Sequence, residues 1–296
     1  VERVDHVGFT GSTETGRTVA ALAGERLTSC SLELGGKNAA IVRADADLGR
    51  TVDGLVRGCF DNAGQTCIAI ERIYVHESVH DEFLERFVAA AEALEPAATY
   101  DWDSELGSLV SADQLDRVES HVEEARTDGA TVHCGGRARP DVGPYVYEPT
   151  VLTGVEPDTT LCCEETFGPV VSVYPVAGDE EAVERANDSR YGLNASIWTA
   201  DEPRGRELAR RIEAGTVNVN EAYVATYASV DAPMGGVKDS GVGRRHGEEG
   251  FYKYTESKTV ATQRVDALGD PGIPFGVYAR LMAGVLKLWR RIPGLR

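Results

Sequence analysis

The chain has 296 residues, a formal net charge of −18, and 42% hydrophobic residues, enough for a sizeable buried core in one large or two smaller domains. The acidic balance argues against a nucleic-acid partner for the main body, because phosphates would be repelled. No apolar run reaches the ~18 residues that a membrane span needs.

Six cysteines at irregular spacing, without a signal peptide, read as reduced thiols of a cytoplasmic protein. No Cys/His cluster has zinc spacing, and adjacent Cys162 and Cys163 suit a metal poorly, so no metal site is expected. Lysine occurs only at positions 37, 238, 253, 258 and 287, so 25 of the 30 basic residues are arginine. Excess acid with scarce lysine fits a halophilic protein, kept soluble by surface carboxylates at high salt. An ordinary acidic cytosolic enzyme is the alternative. The chain starts at Val1 and enters a strand at once, which suggests that it begins inside a longer gene product.

Val4 to Phe9 reads as a buried strand, Thr10 to Thr13 as a turn, and Glu14 to Ala23 as a helix. Ser31–Leu34 and Ala39–Val42 are strand-like. Leu48 to Phe60 is helical, with Leu48, Val52, Leu55, Val56 and Cys59 on one face. Arg72–His76 follows as a strand. Ser78 then caps a helix running to about Leu94, with Ser78 to Asp81 resembling a capping box. Residues 95–110 read as loop. Helices are expected at 112–127, 180–187 and 203–212, and strands at 131–134, 170–176, 195–198 and 216–220. The alternation predicts an α/β fold with a largely parallel sheet. After Asp270 the composition flips: residues 271–296 carry five cations and no acid, leaving −23 on residues 1–270. Val277, Leu281, Val285, Leu288, Trp289 and Ile292 fall near helical spacing. This basic amphipathic tail is expected to dock on the acidic body or a neighbouring subunit, with contact to an anionic membrane surface as the alternative.

The segment Asn62 to Cys67 places a thiol after Gly64 and Gln65, and Leu32 to Lys37 places Glu33 before Gly35 and Gly36. A nucleophilic thiol and a carboxylate base suggest covalent acyl chemistry followed by hydrolysis. Taken singly, each has a plainer reading: a Cys is usually a small buried hydrophobe, and a lone Glu an edge residue beside a turn. Cys30, Cys59, Cys134, Cys162 and Cys163 receive that plainer reading. Phe9 to Arg17 joins a strand to a helix whose N–H groups can hold a phosphate, with Gly11 permitting close approach and Ser12 offering a hydroxyl. Such a turn also serves simply to cap a helix. Glu164 to Pro169 sets an acid and an aromatic ring before a Gly-Pro turn, suited to a ribose diol and a flat heterocycle, or to ordinary core packing. Pro233 to Arg244 is a Gly-rich loop leading into a helix, a candidate wall of the site.

In order, the segments FTGSTETGR, LELGGKNA, NAGQTC, EETFGPV, GTVNVN, PMGGVKDSGVGRR and YTESKTV, from residue 7 to about 264, resemble the aldehyde dehydrogenase superfamily. The resemblance implies that Cys67 attacks an aldehyde carbonyl, that the thiohemiacetal gives hydride to NAD or NADP, and that Glu33 activates the water hydrolysing the thioester. It implies that Gly11, Ser12, Thr13, Gly16 and Leu34 hold the cofactor, with Glu165 at the nicotinamide-side ribose and Phe167 near the ring. The Cys67 N–H would form half the oxyanion hole. Residues 1–35 resemble the end of a Rossmann-type cofactor domain and 36–232 the catalytic domain. Residues 233–254 look like the return toward the cofactor domain, 255–264 like a strand used in subunit pairing, and 265–296 form the tail.

The resemblance further implies a homo-oligomer, dimer or tetramer, acting on a small-molecule aldehyde. Residues 62–77, 220–223 and 243–264 look most like a succinate-semialdehyde dehydrogenase group. One branch of those enzymes carries an arginine six residues before the cysteine, where this chain has Asp61. The family's long N-terminal part is not in this sequence. A second reading is therefore an N-terminally truncated, non-catalytic fragment or assembly subunit. A third is a CoA-acylating relative, against which Glu33 argues.

Overall fold

The computed structural model describes residues 3–99, 105–264 and 272–290. The chain divides into two compact units, 1–255 and 256–296.

The first unit opens with strand β1 (His6–Thr10), helix α1 (Thr13–Gly24) and strand β2 (Ser29–Glu33), a βαβ unit whose strands pair in parallel. Ser12 starts α1 because its hydroxyl accepts the Thr15 N–H, satisfying one of the free donors of the first turn. Glu33 is the last residue of β2, one short of the end expected at Leu34.

The main sheet follows. Its elements are β3 (Asn38–Val42), α2 (Leu48–Phe60), β4 (Ile70–His76), α3 (Glu77–Glu92), α4 (Ala112–Thr127), β5 (Thr131–Cys134), β6 (Thr150–Thr153), α5 (Thr160–Cys163), β7 (Val170–Val176), α6 (Asp179–Asn187), β8 (Tyr191–Gly192), β9 (Asn194–Trp198), α7 (Glu202–Ala209) and β10 (Thr216–Val219). Seven strands run in the order β10-β9-β3-β4-β7-β6-β5, and every neighbouring pair is parallel except β5 with β6. The fold is thus mixed α/β around a parallel sheet. All five residues of β3 and of β9 are buried, the apolar run that a parallel strand covered on both faces requires. On α2, Val52, Leu55 and Cys59 face this core, while α3 contributes Phe83 and Phe87, whose rings stack 5.3 Å apart. Full burial of one such side chain stabilises the fold by about 1.5–3 kcal/mol.

Helix α8 (Val224–Ala228), the short strands β11 (Val237–Lys238) and β12 (Gly241–Val242), and α9 (Gly247–Tyr252) complete the unit. Strand β12 adds antiparallel to β2, and β11 pairs with β8. The predicted Gly-rich loop therefore adds a strand to the first sheet and, through β11, forms a separate two-stranded sheet with β8. In the second unit, α10 (Phe275–Trp289) is a helix in the predicted place, with Val277, Leu281 and Leu288 exposed. Residues 255–264 carry no strand, and Ile292 lies outside the described residues.

Four local expectations need correction. The first strand is His6–Thr10 and none of its residues is fully buried, where the sequence predicts a buried strand over Val4 to Phe9. Helix α3 is capped by His76, whose Nδ1 accepts the Ser78 N–H, so Ser78 is inside the helix rather than its cap. Helix α7 stops at Ala209 because the next turn tightens, with Arg211 N–H donating to Leu208 and Ile212 N–H to Ala209. Cys163 is exposed and Cys30 and Cys162 are half-buried, so only Cys59 and Cys134 are buried among the five cysteines read as core.

Candidate active site

The Cys67 loop is built by backbone conformations few residues adopt. Asn62 and Ala63 both have φ 55°, and Gly64 has φ 69°. Three left-handed residues in a row turn the chain sharply after α2, and strain of this kind clusters at functional sites. Gly64 is required for space as well, since a Cβ there would lie 2.1 Å from the Gly168 carbonyl oxygen. The turn thus fixes the Cys67 loop against the loop carrying Glu165 and Phe167. Asn38 anchors it from below: its amide donates to the carbonyls of Cys67 at 2.9 Å and Ala69 at 2.7 Å. Cys67 is half-buried beside Ile68, Leu193, Met234 and Tyr223.

Burial raises the Cys67 thiol above its ordinary value, and the negative charges of Glu165 and Glu33 add to this, while Arg245 opposes them. Those three charged groups therefore lie within electrostatic reach of the sulfur. The Glu33 carboxylate is half-buried and accepts from Arg245 Nη1 at 2.9 Å. Glu165 packs over Gly35, where a Cβ would sit 2.1 Å from its Oε2, and its Oε1 accepts the Gly36 N–H at 3.1 Å. Burial, and then repulsion from Glu71, push its carboxyl up to about 7. Phe167 is half-buried at φ 53°, another left-handed residue.

A buried ion pair connects these segments. Lys37 and Glu71 meet at 2.5 Å with side chains 0% and 3% exposed. Glu71 also accepts the N–H groups of Thr166 and Phe167, at 2.9 and 3.0 Å, and Lys37 reaches the Thr166 hydroxyl. His121 contacts the same hydroxyl at 3.2 Å, and burial, with Lys37 beside it, lowers its imidazole to about 4.

At the α1 end, Gly11 and Ser12 are exposed, and the Gly11 N–H donates to the Glu33 carbonyl at 3.2 Å. The structure turns two predicted cofactor residues inward. The Thr13 hydroxyl donates to the Asp239 carbonyl, and Leu34 is buried beneath Gly16, where a Cβ would lie 2.4 Å from it. Leu34 seats α1 on the end of β2, and Thr13 ties α1 to the turn between β11 and β12. Cys67, Glu33, Glu165, Gly11 and Ser12 thus lie on linked segments, whereas Cys162 and Cys163 belong to α5. Sequence reasoning missed Arg245, Asn38 and the Lys37–Glu71 pair. One signal was present: Lys37 is the only lysine before position 238, in a chain that otherwise uses arginine. Among the described residues, no group of His, Cys, Asp and Glu is placed to hold a metal.

Solved structures sharing this architecture are aldehyde dehydrogenases. The NAD+ complex of an aldehyde dehydrogenase from Bacillus cereus matches with a TM-score of 0.82 and 40% identity, over 86% of this chain and 51% of that one. Betaine aldehyde dehydrogenase from Staphylococcus aureus, also in complex with NAD+, matches with a TM-score of 0.80 and 36% identity, over 85% and 50%. The aldehyde dehydrogenase family model matches residues 1–260, and the chain belongs to that family. A Mycolicibacterium smegmatis protein named "Putative succinate-semialdehyde dehydrogenase [NADP(+)]" is 51% identical over 99% of this chain. The 2-aminomuconic semialdehyde dehydrogenase of Danio rerio is 38% identical over 87% of it. The chain spans 57% and 53% of these two relatives' lengths.

Proposed function

We propose that this chain carries the catalytic machinery of an NAD(P)-dependent aldehyde dehydrogenase converting an aldehyde to a carboxylic acid. The observation that carries the reading is the link from Glu33 to Cys67 through Arg245, whose guanidinium meets the carboxylate and whose backbone bonds Met234, in the apolar cluster that Cys67 packs against. Cys67 forms the thiohemiacetal and then the thioester, and Glu33 takes a proton from the water that hydrolyses it. The Cys67 N–H is proposed as one oxyanion donor.

The chain's residues fit a nicotinamide dinucleotide. A helix N-terminus with exposed Gly11 and Ser12 suits a diphosphate, and the acid of Glu165 beside the ring of Phe167 suits a ribose and its heterocycle. The bound cofactor supplies the hydride acceptor. The relatives named above support either NAD or NADP. Glu165 must turn away from Gly36 to reach a ribose, and its raised carboxyl lowers the cost of parking it there uncharged.

Succinate semialdehyde is the proposed substrate, on the strength of the M. smegmatis relative. Asp61 takes no part in binding its carboxylate, because like charges repel and its own carboxylate accepts the Tyr223 hydroxyl at 3.1 Å. Assembly into a homo-oligomer through residues 255–264 belongs to the same reading. The coverage of 57% supports a second reading, that turnover requires the part of its relatives this chain does not span.

The test measures reduced nicotinamide formation across an aldehyde panel. It compares the chain alone with the chain joined to the N-terminal part of the M. smegmatis relative. Turnover in the joined protein, lost in Cys67→Ala, and a burst before slow turnover in Glu33→Gln are expected. Full turnover in Cys67→Ala refutes the mechanism.

A further inference from the structure

We propose that Arg245 is the positioning residue of Glu33, holding Oε2 of the carboxylate so that Oε1 is the oxygen that takes the proton from water. The inference rests on the reading of Glu33 as the hydrolytic base. Nη1 of Arg245 lies 2.9 Å from Oε2 of Glu33, the length of a charge-assisted hydrogen bond. The side chains are 40% and 21% exposed, so the pair sits at a mouth that water can reach.

Both partners have fixed backbones. Glu33 ends β2, is paired with Gly241 of β12, and accepts the Gly11 N–H. Arg245 forms two hydrogen bonds with Met234, N–H to carbonyl in each direction, both 2.7 Å. Met234 is buried in the small apolar cluster with Ile68 and Leu193 that Cys67 packs against. The guanidinium is therefore carried on the wall of the thiol's own pocket. Its neighbour Arg244 does a different job, with Nη1 donating to the Gly236 and Gly243 carbonyls at 2.9 and 2.8 Å. Of two adjacent arginines, one closes the loop and the other meets the base.

A carboxylate at a strand end rotates about several bonds, and a general base works only within hydrogen-bond reach of its water. Anchoring one oxygen removes that freedom and leaves the lone pairs of the other. In the step served, the water oxygen bonds to the thioester carbon while its proton passes to Oε1. The C–S bond then breaks, the electron pair returns to Sγ of Cys67, and the carboxylic acid leaves; nothing is oxidised or reduced. The charges acting on the sulfur include those of Glu165, Glu33 and Arg245, so the same guanidinium also favours the returning thiolate.

The experiment uses Arg245→Gln, Arg245→Lys and Glu33→Gln in the joined, active protein described above. Arg245→Gln is expected to slow deacylation more than single-turnover acylation, to lower kcat about tenfold, and to produce a burst of reduced nicotinamide, with Arg245→Lys restoring most of the rate. Independently of turnover, the pH profile of Cys67 alkylation by iodoacetamide should move to higher pH in Arg245→Gln. Equal loss of acylation and deacylation, with no shift in the alkylation profile, would overturn the proposal by making Arg245 merely structural. A raised KM confined to aldehydes bearing a carboxylate, with kcat unchanged, overturns it by making Arg245 a substrate ligand. A burst in Glu33→Gln with none in Arg245→Gln removes the proposal alone, whereas normal hydrolysis in Glu33→Gln removes the base reading and the proposal with it.

Discussion

Glu165→Gln tests the electrostatics of the site through folding stability, without needing catalysis. The carboxyl stands at about 7 in the folded chain against an ordinary 4.5, because it is buried and faces Glu71. Holding the ionised form under those conditions costs the fold about 3 kcal/mol, at about 1.4 kcal/mol per pH unit of displacement. The sign follows from linkage. Below 4.5 the group is protonated folded and unfolded, and no cost exists; the cost grows as pH rises from 4.5 to about 7, and is complete above that. Gln is uncharged at every pH, and its amide oxygen still accepts the Gly36 N–H. Urea unfolding of the full chain, wild type and Glu165→Gln, should therefore give similar stability near pH 5. Near pH 8.5 the variant should be more stable by up to about 3 kcal/mol. A difference that is the same at both pH values would refute the assignment of the raised carboxyl to Glu165.

Other expectations follow from the same geometry. Glu71→Gln leaves Lys37 buried with its charge uncompensated and should cost about 3–5 kcal/mol, and Lys37→Met with Glu71→Met together should cost less than Glu71→Gln alone; a double variant worse than the single would refute pairing as the cause. Cys162→Ala and Cys163→Ala should retain turnover in the joined protein that Cys67→Ala abolishes, checked by reduced nicotinamide formation. Residues 1–270 carry −23, so if the chain is halophilic, melting temperature should fall when KCl is lowered from molar to ~0.1 M, as the screening length grows from about 3 to about 10 Å. Unchanged melting across that range would favour an ordinary acidic protein.

The main elements were legible because the signal that fixes them is local. Helix α2 follows its apolar period from Leu48 to Phe60, and α4 and strands β5 and β7 stand on the predicted residues. The missed elements are short. Strand β6 is four residues between Pro149 and Gly154, and β8, β11 and β12 are two residues each, too brief for a period to register. The inward turn of the Thr13 and Leu34 side chains was hidden for the opposite reason. A small residue at a helix start and an apolar one after Glu33 carry no mark of which way the side chain turns, and contacts with Asp239 and Gly16 decided it. Arg245 was invisible because its partner is 212 positions away, and no spacing rule spans that distance.

The buried pair explains how remote segments stay in register. Lys37 follows Glu33 by four positions, Glu71 follows Cys67 by four, and Thr166 follows Glu165 by one. Each segment that presents a site residue outward therefore drives an adjoining residue inward, and the three inward residues bond to one another. Two buried charges are a costly way to gain stability, since apolar side chains of the same volume usually do as well. What an apolar contact lacks is direction. The Glu71 carboxylate sets the Thr166 and Phe167 N–H groups at hydrogen-bond length and holds Phe167 in a left-handed conformation it would not otherwise favour. The expense of the pair is consistent with the proposed site, whose base, nucleophile and ribose-binding acid would sit on three different segments and have to agree to within a fraction of an ångström. On that argument, loosening the pair should disturb the placement of Glu165 and Phe167 before it disturbs the sheet, because Ile73 and Val173 keep their own apolar contacts in the core.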